Sequence, residues 1–337
     1  MQNFWEKLPK PFFVMAPMAD VTDVVFRRII AECSQPTGPQ VFFTEFVSAD
    51  GLAHPIARER LLIDWQYSEL ERPIVAQMFG SRPENIKKAA ELARDLGFDG
   101  IDINMGCPEQ TICKQGAGAE LMKKENYDLA REIIESAHEG ASGLPVSVKT
   151  RMGYASLDEF DEWFNFLLTC ELSAITVHLR TKKEMSKVPA HWELASKLRE
   201  FVGYRVSKGI PGIHGPRIIA NGDVRDLSDA RNKAEKYELD GVMLGRAIFG
   251  NPWLYSSKSK PDWPEVFRVM LRHAQMFQEI FIDKPTRKGR KPYKSFAIMR
   301  KHFGSYVSGH HRASEIKEDL MKASDAKEVG AVLKKFA

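Results

Sequence analysis

The sequence contains little cysteine, and this scarcity argues against two classes of protein. Its 337 residues include four cysteines, which form no C-x-x-C pair and show no zinc-type spacing. A chain of this length needs no disulfide framework to hold a core. We therefore expect reduced thiols and no bound metal.

Long apolar runs and a dinucleotide-binding fingerprint are also missing. No apolar run approaches the ~18 residues that indicate a membrane span, and the first residues show no secretory signal. We therefore expect a cytoplasmic protein without a membrane partner. Residues 116–121 resemble a G-x-G-x-x-G motif but lack its third glycine, so a stably bound dinucleotide is not expected.

Charge is distributed unevenly along the chain, although the net total is only +4. Residues 251–337 contain 18 Lys and Arg but nine Asp and Glu, a net charge of +9. Residues 1–250 carry a net charge of −5. A basic C-terminal part is typical of proteins that bind a polyanion. Charge alone does not distinguish this from a solvated basic helical face.

Eight short apolar segments, most of them followed by a helical pattern, predict a (β/α)8 TIM barrel. The alternation indicates parallel strands joined by crossovers, and eight repeats over ~250 residues fit a closed barrel. A doubly wound sheet usually carries a glycine fingerprint after its first strand, and residues 16–20 have none. The predicted strands are residues 11–16, 41–46, 73–79, 100–104, 145–150, 174–178, 217–221 and 241–245. The predicted helices between them include residues 84–96, 129–137, 157–168 and 192–201.

After residue 253 the pattern becomes helical throughout. Residues 256–261 are typical of a linker, and a basic loop over residues 283–292 separates the first two helical patterns. We therefore expect two domains, residues 1–253 as a barrel and residues 262–337 as a small α-helical bundle. The predicted helices of the bundle are residues 264–282, 293–307, 314–321 and 325–336.

Polar residues stand at the ends of six predicted strands, where the chemistry of a barrel takes place. One buried polar residue is usually a satisfied core group, but six at the same end indicate a ligand site. Barrel loops after the last two strands commonly bind phosphate, and glycines there let N–H groups approach an anion. The other side chains suit a polar heterocycle, so the set favours bound FMN. The strand-end residues are Gln77, Asn104, Lys149, His178, Asn221, Gly222, Asp223, Gly245 and Arg246.

Cys107 follows the fourth predicted strand, within the motif N-M-G-C-P of residues 104–108. A free cysteine is often a small buried hydrophobe. The position at a barrel strand end, between glycine and proline, favours catalysis instead. The other three cysteines are expected to serve packing.

Seven short motifs follow one another over nearly the whole chain. They are A-P-M-A at 16–19, A-Q at 76–77, N-M-G-C-P at 104–108, V-K-T-R at 148–151, V-H-L-R-T at 177–181, A-N-G-D at 220–223 and G-R-A-I-F-G-N-P-W at 245–253. In these motifs the chain resembles the bacterial tRNA-dihydrouridine synthases, and M-R-K-H-F at 299–303 resembles their helical tRNA-binding domain. Two features depart from the family pattern: a longer segment over residues 201–216, and Leu179 in place of a small residue.

This resemblance implies FMN as cofactor, NADPH as transient reductant and a D-loop uridine of tRNA as substrate. FMN would pass hydride to C6 of the uracil, and Cys107 would donate a proton to C5 from the opposite face. A thiol with a pKa near ~8.5 is mostly protonated at neutral pH and can act as this acid. The C-terminal pattern leans towards position 17 of the D-loop.

The resemblance also implies roles for further residues. Pro17, Met18 and Ala19 join the cofactor-binding set, and Asn104 and Arg180 are expected to contact the uracil or the RNA. A uridine must leave its loop to reach a barrel mouth, so phosphate contacts are needed to position the tRNA. The basic residues expected to make such contacts are Arg290, Lys291 and Arg300, together with their neighbours at 287–288, 294 and 301.

Two alternatives use the same barrel differently. One is a small-molecule FMN oxidoreductase of the dihydroorotate dehydrogenase or ene-reductase type, for which a basic helical module would have no use. The other is a non-enzymatic RNA-binding protein, which would not need the run of strand-end polar groups. We expect the protein to be a monomer.

Overall fold

The computed structural model describes residues 3–207, 215–256, 261–284 and 292–337, which divide into two compact units. The barrel unit comprises Met1–Pro17, Gln40–Trp65 and Arg72–Arg246. The helical unit comprises Met18–Pro39, Gln66–Glu71 and Ala247–Ala337.

The barrel unit contains nine parallel strands in a single, nearly closed sheet. They are β1 (Phe12–Met15), β2 (Phe42–Phe43), β3 (Val47–Ser48), β4 (Ile74–Phe79), β5 (Gly100–Met105), β6 (Val146–Arg151), β7 (Ala174–His178), β8 (Arg217–Asn221) and β9 (Gly241–Leu244). Their order across the sheet is β1-β9-β8-β7-β6-β5-β4-β2, and β3 also pairs with β4. A parallel bridge between Val14 and Val41 joins the two ends. The predicted TIM-barrel fold is confirmed.

The prediction of one continuous strand over residues 41–46 is wrong, because the chain forms two short strands, β2 and β3, instead. Between them the Thr44 hydroxyl accepts a hydrogen bond from the Gln77 main-chain N–H at 3.0 Å. The same hydroxyl donates to the Glu45 carbonyl at 2.9 Å. A side chain thus replaces one main-chain hydrogen bond of the ladder, and the strand is interrupted there. The other seven predicted strands agree with the observed bounds to within one residue.

Thirteen α-helices are formed by the described residues, α1 and α10–α13 in the helical unit and the others in the barrel unit. They are α1 (Val24–Cys33), α2 (Ala49–Ala53), α3 (Pro55–Leu61), α4 (Pro83–Asp95), α5 (Gln110–Cys113), α6 (Tyr127–Ala141), α7 (Phe160–Leu167), α8 (Ala195–Ser207), α9 (Leu227–Lys236), α10 (Trp263–Phe277), α11 (Arg300–Tyr306), α12 (Ala313–Lys322) and α13 (Ala326–Lys334). Of the longer segment predicted over residues 201–216, residues 208–214 lie outside the described ranges.

The helix predicted over residues 293–307 begins later than expected. The Ser295 hydroxyl accepts a hydrogen bond from the Ala297 N–H at 3.3 Å, which caps a 3₁₀ turn, Phe296–Met299, ahead of α11. The helix predicted over residues 264–282 is α10 followed by a π-helical turn, Gln278–Asp283. No helix within the described ranges is long and apolar enough to cross a membrane.

Small residues bring α4 and α6 close together on the outside of the barrel. Ala89, Ala90 and Ala93 recur at helical spacing on α4 and are all buried. Gly140 of α6 lies so near that a Cβ placed there would stand 2.2 Å from the Lys87 carbonyl oxygen. The helix therefore needs glycine at this position.

The helical unit takes α1 from the chain between β1 and β2, so it is not continuous in sequence. Arg27 of α1 and Glu71 form a fully buried ion pair, with Nε and Oε2 2.7 Å apart. The ring of Phe26 packs on His273 and His302, with ring centres 5.0 and 4.6 Å away. The assignment of residues 1–253 and 262–337 as functional domains stays a prediction.

Candidate active site

Five adjacent strands carry predicted site residues near their C-terminal ends. The parallel register places Asn104 of β5 beside Lys149 of β6. It also places His178 of β7 beside Asn221 of β8. Gln77 of β4 lies beside a residue that was not predicted, Asp102 of β5. The sheet thus brings these polar side chains into neighbouring positions.

A chain of buried hydrogen bonds joins β4, β5 and β6. Ser147 Oγ and Gln77 Nε2 each donate to the Asp102 carboxylate at 2.6 Å. Gln77 Oε1 accepts from Asn104 Nδ2 at 3.2 Å. Burial raises the pKa of Asp102 to about 6, while the two donors and the charge of Lys149 oppose this rise. In this conformation Gln77 is fully buried, and both ends of its amide are hydrogen-bonded within the protein.

The turn that carries Cys107 is held by the side chain of Asn104. Asn104 Oδ1 accepts hydrogen bonds from the N–H groups of Gly106 at 3.2 Å and Cys107 at 2.9 Å. A Cβ at Gly106 would stand 3.0 Å from the Thr150 carbonyl carbon, so the turn lies tightly against β6 at this glycine. The Cys107 carbonyl accepts from Ala119 N–H at 3.0 Å. Asn104, predicted to contact the uracil, is here used to build the turn.

The Cys107 thiol is half-buried and protonated at neutral pH. Burial raises its pKa above the usual value, and a hydrogen bond from the Glu109 main chain and the charge of Arg151 oppose this rise. Arg151 is a second residue that was not predicted. Its guanidinium donates to the Gly106 carbonyl at 2.9 Å and to the carbonyls of Thr181 at 3.1 Å and Met185 at 2.9 Å. It therefore ties the Cys107 turn to the loop after β7.

Lys149 and His178 are both shifted towards their neutral forms. Burial, together with the charge of Arg151, lowers the pKa of Lys149 to about 8. Burial and the surrounding positive charges lower the pKa of His178 well below its usual range. Arg180 Nη1 lies 3.0 Å from His178 Nε2. Because a guanidinium can only donate, Nε2 must accept and the imidazole proton must lie on Nδ1.

Asp223 links two predicted arginines at the ends of β7 and β9. Its carboxylate forms ion pairs with Arg180 and Arg246 and accepts from the Ala190 N–H at 2.9 Å. The hydrogen bond from Arg180 holds the pKa of Asp223 below its usual value. Arg180 also donates to the Val188 carbonyl at 2.7 Å and is 2% exposed. Arg246, by contrast, has an exposed side chain.

The loop after β8 places main-chain groups at the same end of the barrel. Gly222 has φ +134°, and a Cβ there would stand 2.7 Å from the Ala190 Cβ. Its carbonyl accepts a hydrogen bond from Trp192 Nε1 at 2.7 Å. Asn221 Nδ2 donates to the Met243 carbonyl at 2.7 Å and so ties β8 to β9. Gly222 is therefore required by the backbone and by the lack of space around it.

The remaining predicted site residues lie beside β1 and β9, in the helical unit or outside the described ranges. Pro17 is buried just after β1, and Gly245 directly follows β9. Met18 and Ala19 belong to the helical unit, as does Arg300, the exposed first residue of α11. Arg290 and Lys291 lie outside the described residues.

Two signals in the sequence could have revealed the unpredicted residues. Asp102 is the single charged residue of the otherwise uncharged segment Gly100–Met105, and an ion in a buried strand needs partners. Arg151 ends β6 two residues after Lys149, on the same face of the strand. Among the residues the structure describes, no group of three or more His, Cys, Asp or Glu is arranged to hold a metal ion.

Comparison with solved structures supports the fold. Morphinone reductase superposes with a TM-score of 0.51 over 75% of this chain and 88% of that chain, at 14% sequence identity. Histamine dehydrogenase from Rhizobium sp. 4-9 superposes with a TM-score of 0.50 over 72% of this chain and 44% of that one, also at 14% identity. Identities this low show a shared barrel fold and nothing about activity.

Comparison with protein families and curated sequences is more specific. The model of the dihydrouridine synthase family matches residues 14–337. The chain is 37% identical over 336 residues to a protein of Staphylococcus aureus (strain COL) named "Probable tRNA-dihydrouridine synthase", covering 99% of this chain and 96% of that protein. It is 38% identical to "Probable tRNA-dihydrouridine synthase 2" of Bacillus subtilis (strain 168), covering 99% and 97%. The chain belongs to the dihydrouridine synthase family.

Proposed function

We infer that this protein is an FMN- and NADPH-dependent tRNA-dihydrouridine synthase that reduces the C5–C6 double bond of a D-loop uridine. Family membership supports the reaction, because relatives that match 99% of the chain are named as tRNA-dihydrouridine synthases. The observation that carries the proposal is Cys107, a protonated, half-buried thiol held at a barrel strand end beside Lys149 and Arg151. We propose that the protein acts in the cytoplasm as a monomer.

The strand-end residues suit FMN in their charge and hydrogen-bonding capacity. The Lys149 ammonium has a lowered pKa, and an electron-rich flavin edge would stabilise its charged form. The Nδ1–H of His178 is a donor for a ring carbonyl. Gly222 and Gly245 leave main-chain groups free of side-chain bulk, and Arg246 adds an exposed cation for the phosphate. The proposed cofactor set is completed by Pro17, Met18, Ala19, Gln77, Asn221 and Asp223.

Bound FMN, once reduced by NADPH, would supply the hydride that C6 of the uracil receives. Negative charge then develops on C5 and O4 of the base, and a proton must reach C5. Cys107 donates it: the S–H bond breaks, the C5–H bond forms and a thiolate remains. Arg151 stabilises that thiolate, since its charge lowers the pKa of Cys107. The raised pKa keeps the thiol protonated beforehand, which favours an acid over a nucleophile.

The tRNA is proposed to be positioned mainly by basic residues of the C-terminal part. Residues 251–337 carry a net charge of +9, whereas residues 1–250 carry −5. Arg290, Lys291 and Arg300 are the proposed phosphate contacts within a tRNA-binding domain of residues 262–337, and residues 1–253 form the catalytic domain. Asn104 and Arg180 are the proposed contacts near the base.

Substitution of Cys107 tests the central role. Cys107→Ala should keep the flavin absorbance, NADPH oxidation and tRNA binding but lower dihydrouridine formation at least ~10²-fold, as expected for loss of a general acid. Dihydrouridine is mapped by mass spectrometry in unmodified tRNA treated with enzyme and NADPH, which also identifies the uridine reduced. The control is Cys170→Ala, which removes a thiol just after α7. This variant should turn over normally.

Two outcomes would overturn parts of this proposal. Near-normal dihydrouridine formation by Cys107→Ala would remove this thiol from the role of proton donor. A colourless wild-type protein that takes up no added FMN would remove the cofactor assignment.

A further inference from the structure

The hydrogen-bonded chain between Asp102 and the Cys107 turn has a fixed direction. At one end the ionised Asp102 carboxylate can only accept hydrogen bonds. At the other end the main-chain N–H groups of Gly106 and Cys107 can only donate. The amides of Gln77 and Asn104 lie between these ends. Each amide has one donor side and one acceptor side, so its orientation depends on both neighbours.

The observed contacts satisfy every group in one orientation. Asp102 accepts from Gln77 Nε2 at 2.6 Å, which turns Gln77 Oε1 towards Asn104 Nδ2 at 3.2 Å. Asn104 Oδ1 is thereby turned towards Cys107 N, 2.9 Å away. If either amide were reversed, two donors or two acceptors would face each other in a buried place, and each unsatisfied group would be destabilising.

We propose that Asp102 is a positioning residue, whose carboxylate orients the Gln77 and Asn104 amides and so holds the turn that carries Cys107. Asp102 is 0% exposed, and its oxygens are engaged by Gln77 and Ser147. It therefore acts through the amides and not on a substrate. The inference deepens the proposed function and rests on it in one respect, namely the role of Cys107 as acid.

Two substitutions at this position should differ sharply. Asp102→Leu removes the acceptor, leaves Gln77 Nε2 unpaired and frees both amides to turn. Asp102→Asn keeps an acceptor, because its oxygen can face Gln77 while its NH2 donates to Ser147 Oγ. The Ser147 proton then has the Ile101 carbonyl, 3.2 Å away, as its own acceptor. The orientation of Gln77 and Asn104 is preserved in the second variant only.

Alkylation of the Cys107 thiol by iodoacetamide reports on the turn without any need for flavin or tRNA. In Asp102→Leu a loosened turn exposes the thiol and lowers its pKa, so alkylation at about pH 8 should be about tenfold faster, one pKa unit being a tenfold change in thiolate. Cys107 and Cys113 share one tryptic peptide, residues 95–114, so fragment-ion mass spectrometry of that peptide is used to locate the label on Cys107. Asp102→Asn should be alkylated at nearly the wild-type rate.

Turnover provides the second readout. Asp102→Leu should lower kcat for dihydrouridine formation by about 10²-fold, the effect of misplacing a reacting group by about 1 Å, with little change in KM for tRNA. Asp102→Asn should keep most of kcat. The control is Asp240→Leu, which removes a buried carboxylate before β9. The Asp240 carboxylate accepts a hydrogen bond from the Ile218 N–H at 2.8 Å. This control should lower the melting temperature but leave Cys107 alkylation unchanged.

The outcomes separate this inference from the proposed function. Wild-type alkylation in folded Asp102→Leu would overturn the positioning role, as would an Asp102→Asn variant that behaves like Asp102→Leu. If alkylation follows the expected order but dihydrouridine formation does not, Asp102 holds the turn and the acid role of Cys107 fails. If Asp102→Leu does not fold, Gln77→Met breaks the same chain nearer to Asn104 and should speed Cys107 alkylation equally.

Discussion

At the scale of single residues, burial sets the protonation of the groups at the strand ends. It raises the pKa of Asp102 to about 6 and lowers that of Lys149 to about 8. It also raises the pKa of Cys107 and lowers that of His178. All four groups move towards their neutral forms. A proton donor requires a protonated thiol, and a neutral imidazole lets His178 Nε2 accept from Arg180 while Nδ1 donates.

Burial also lowers the pKa of two histidines of the helical unit, which have no role in the proposed reaction. His273 Nε2 and both ring nitrogens of His302 have no hydrogen-bond partner among the described residues. His273 Nδ1 lies 3.2 Å from the Tyr306 hydroxyl. Burial lowers the pKa of His302 to about 3, with a smaller effect of the nearby Lys301 charge, and lowers that of His273 well below its usual range.

Because of these lowered pKa values, we expect the free energy of unfolding to fall in acid. Unfolded histidine binds a proton near pH 6.5, whereas folded His302 stays neutral down to about pH 3, so the stability present above pH 6.5 is lost as the pH falls. At about pH 4.5, protonation linked to His302 should reduce the free energy of unfolding by about 3 kcal/mol. Urea unfolding at about pH 7.5 and pH 4.5 measures this. His302→Leu should lack that part of the pH dependence, and an unchanged dependence would contradict the assignment.

At the scale of helices and strands, two helical glycines should respond in opposite ways to alanine. Alanine is preferred to glycine inside a helix by about 1 kcal/mol. At Gly203 of α8 nothing lies within 4 Å of the added Cβ, so Gly203→Ala should raise the free energy of unfolding by about 0.5–1 kcal/mol. At Gly140 of α6 the Cβ would meet Lys87 and Ala90 of α4 at 2.2 and 2.8 Å. Gly140→Ala should therefore lower the free energy of unfolding by about 2 kcal/mol.

Urea titration of the two variants under identical conditions tests this pair. Since both substitutions add the same methyl group to a helix, any difference reflects the packing of α6 against α4. Similar stabilisation in both variants would show that α4 and α6 separate at no cost.

Local pattern was sufficient to predict most elements but not the interruptions within them. Seven strands agree closely with prediction because apolar runs bounded by polar residues are a property of the segment itself. The break between β2 and β3 depends on Thr44 meeting Gln77, which is 33 residues away. The late start of α11 depends on a cap at Ser295. Contacts with distant residues and choices between local caps are not visible in periodicity.

The candidate site shows the same division. Strand-end position was enough to identify Lys149, His178 and the Cys107 turn as neighbours. It did not show that Asn104 and Gln77 bond to each other, because that depends on how far the side chains reach between β4 and β5. Arg180 likewise turned out to be buried against Asp223. The strand register predicts which residues lie side by side. The hydrogen bonds and ion pairs between their side chains then decide which groups remain available for a ligand.

At the scale of the whole molecule, the compact units do not follow the order of the chain. Residues 18–39, which include α1, group with the C-terminal helices although they lie between β1 and β2. The buried Arg27–Glu71 pair supplies one reason, because two segments far apart in sequence are joined within that unit. No change in composition marks residues 18–39 as separate, so the sequence predicted one boundary near residue 253. The uneven charge of the chain was readable directly, since it depends on counting alone.

That uneven charge yields a prediction for tRNA binding. Arg300 is exposed and forms no ion pair within the described part of the chain, whereas the Lys322 ammonium lies 2.8 Å from Glu318. A free cation that neutralises a phosphate releases a counterion, so Arg300→Glu should weaken tRNA binding and reduce the slope of log K against log salt by about one. Lys322→Glu, a charge reversal of the same size, should change the slope less, and neither variant should alter NADPH oxidation. Filter binding at several salt concentrations measures both slopes. If the two variants had equal effects, net charge would control the affinity for tRNA, and a phosphate contact by Arg300 would not.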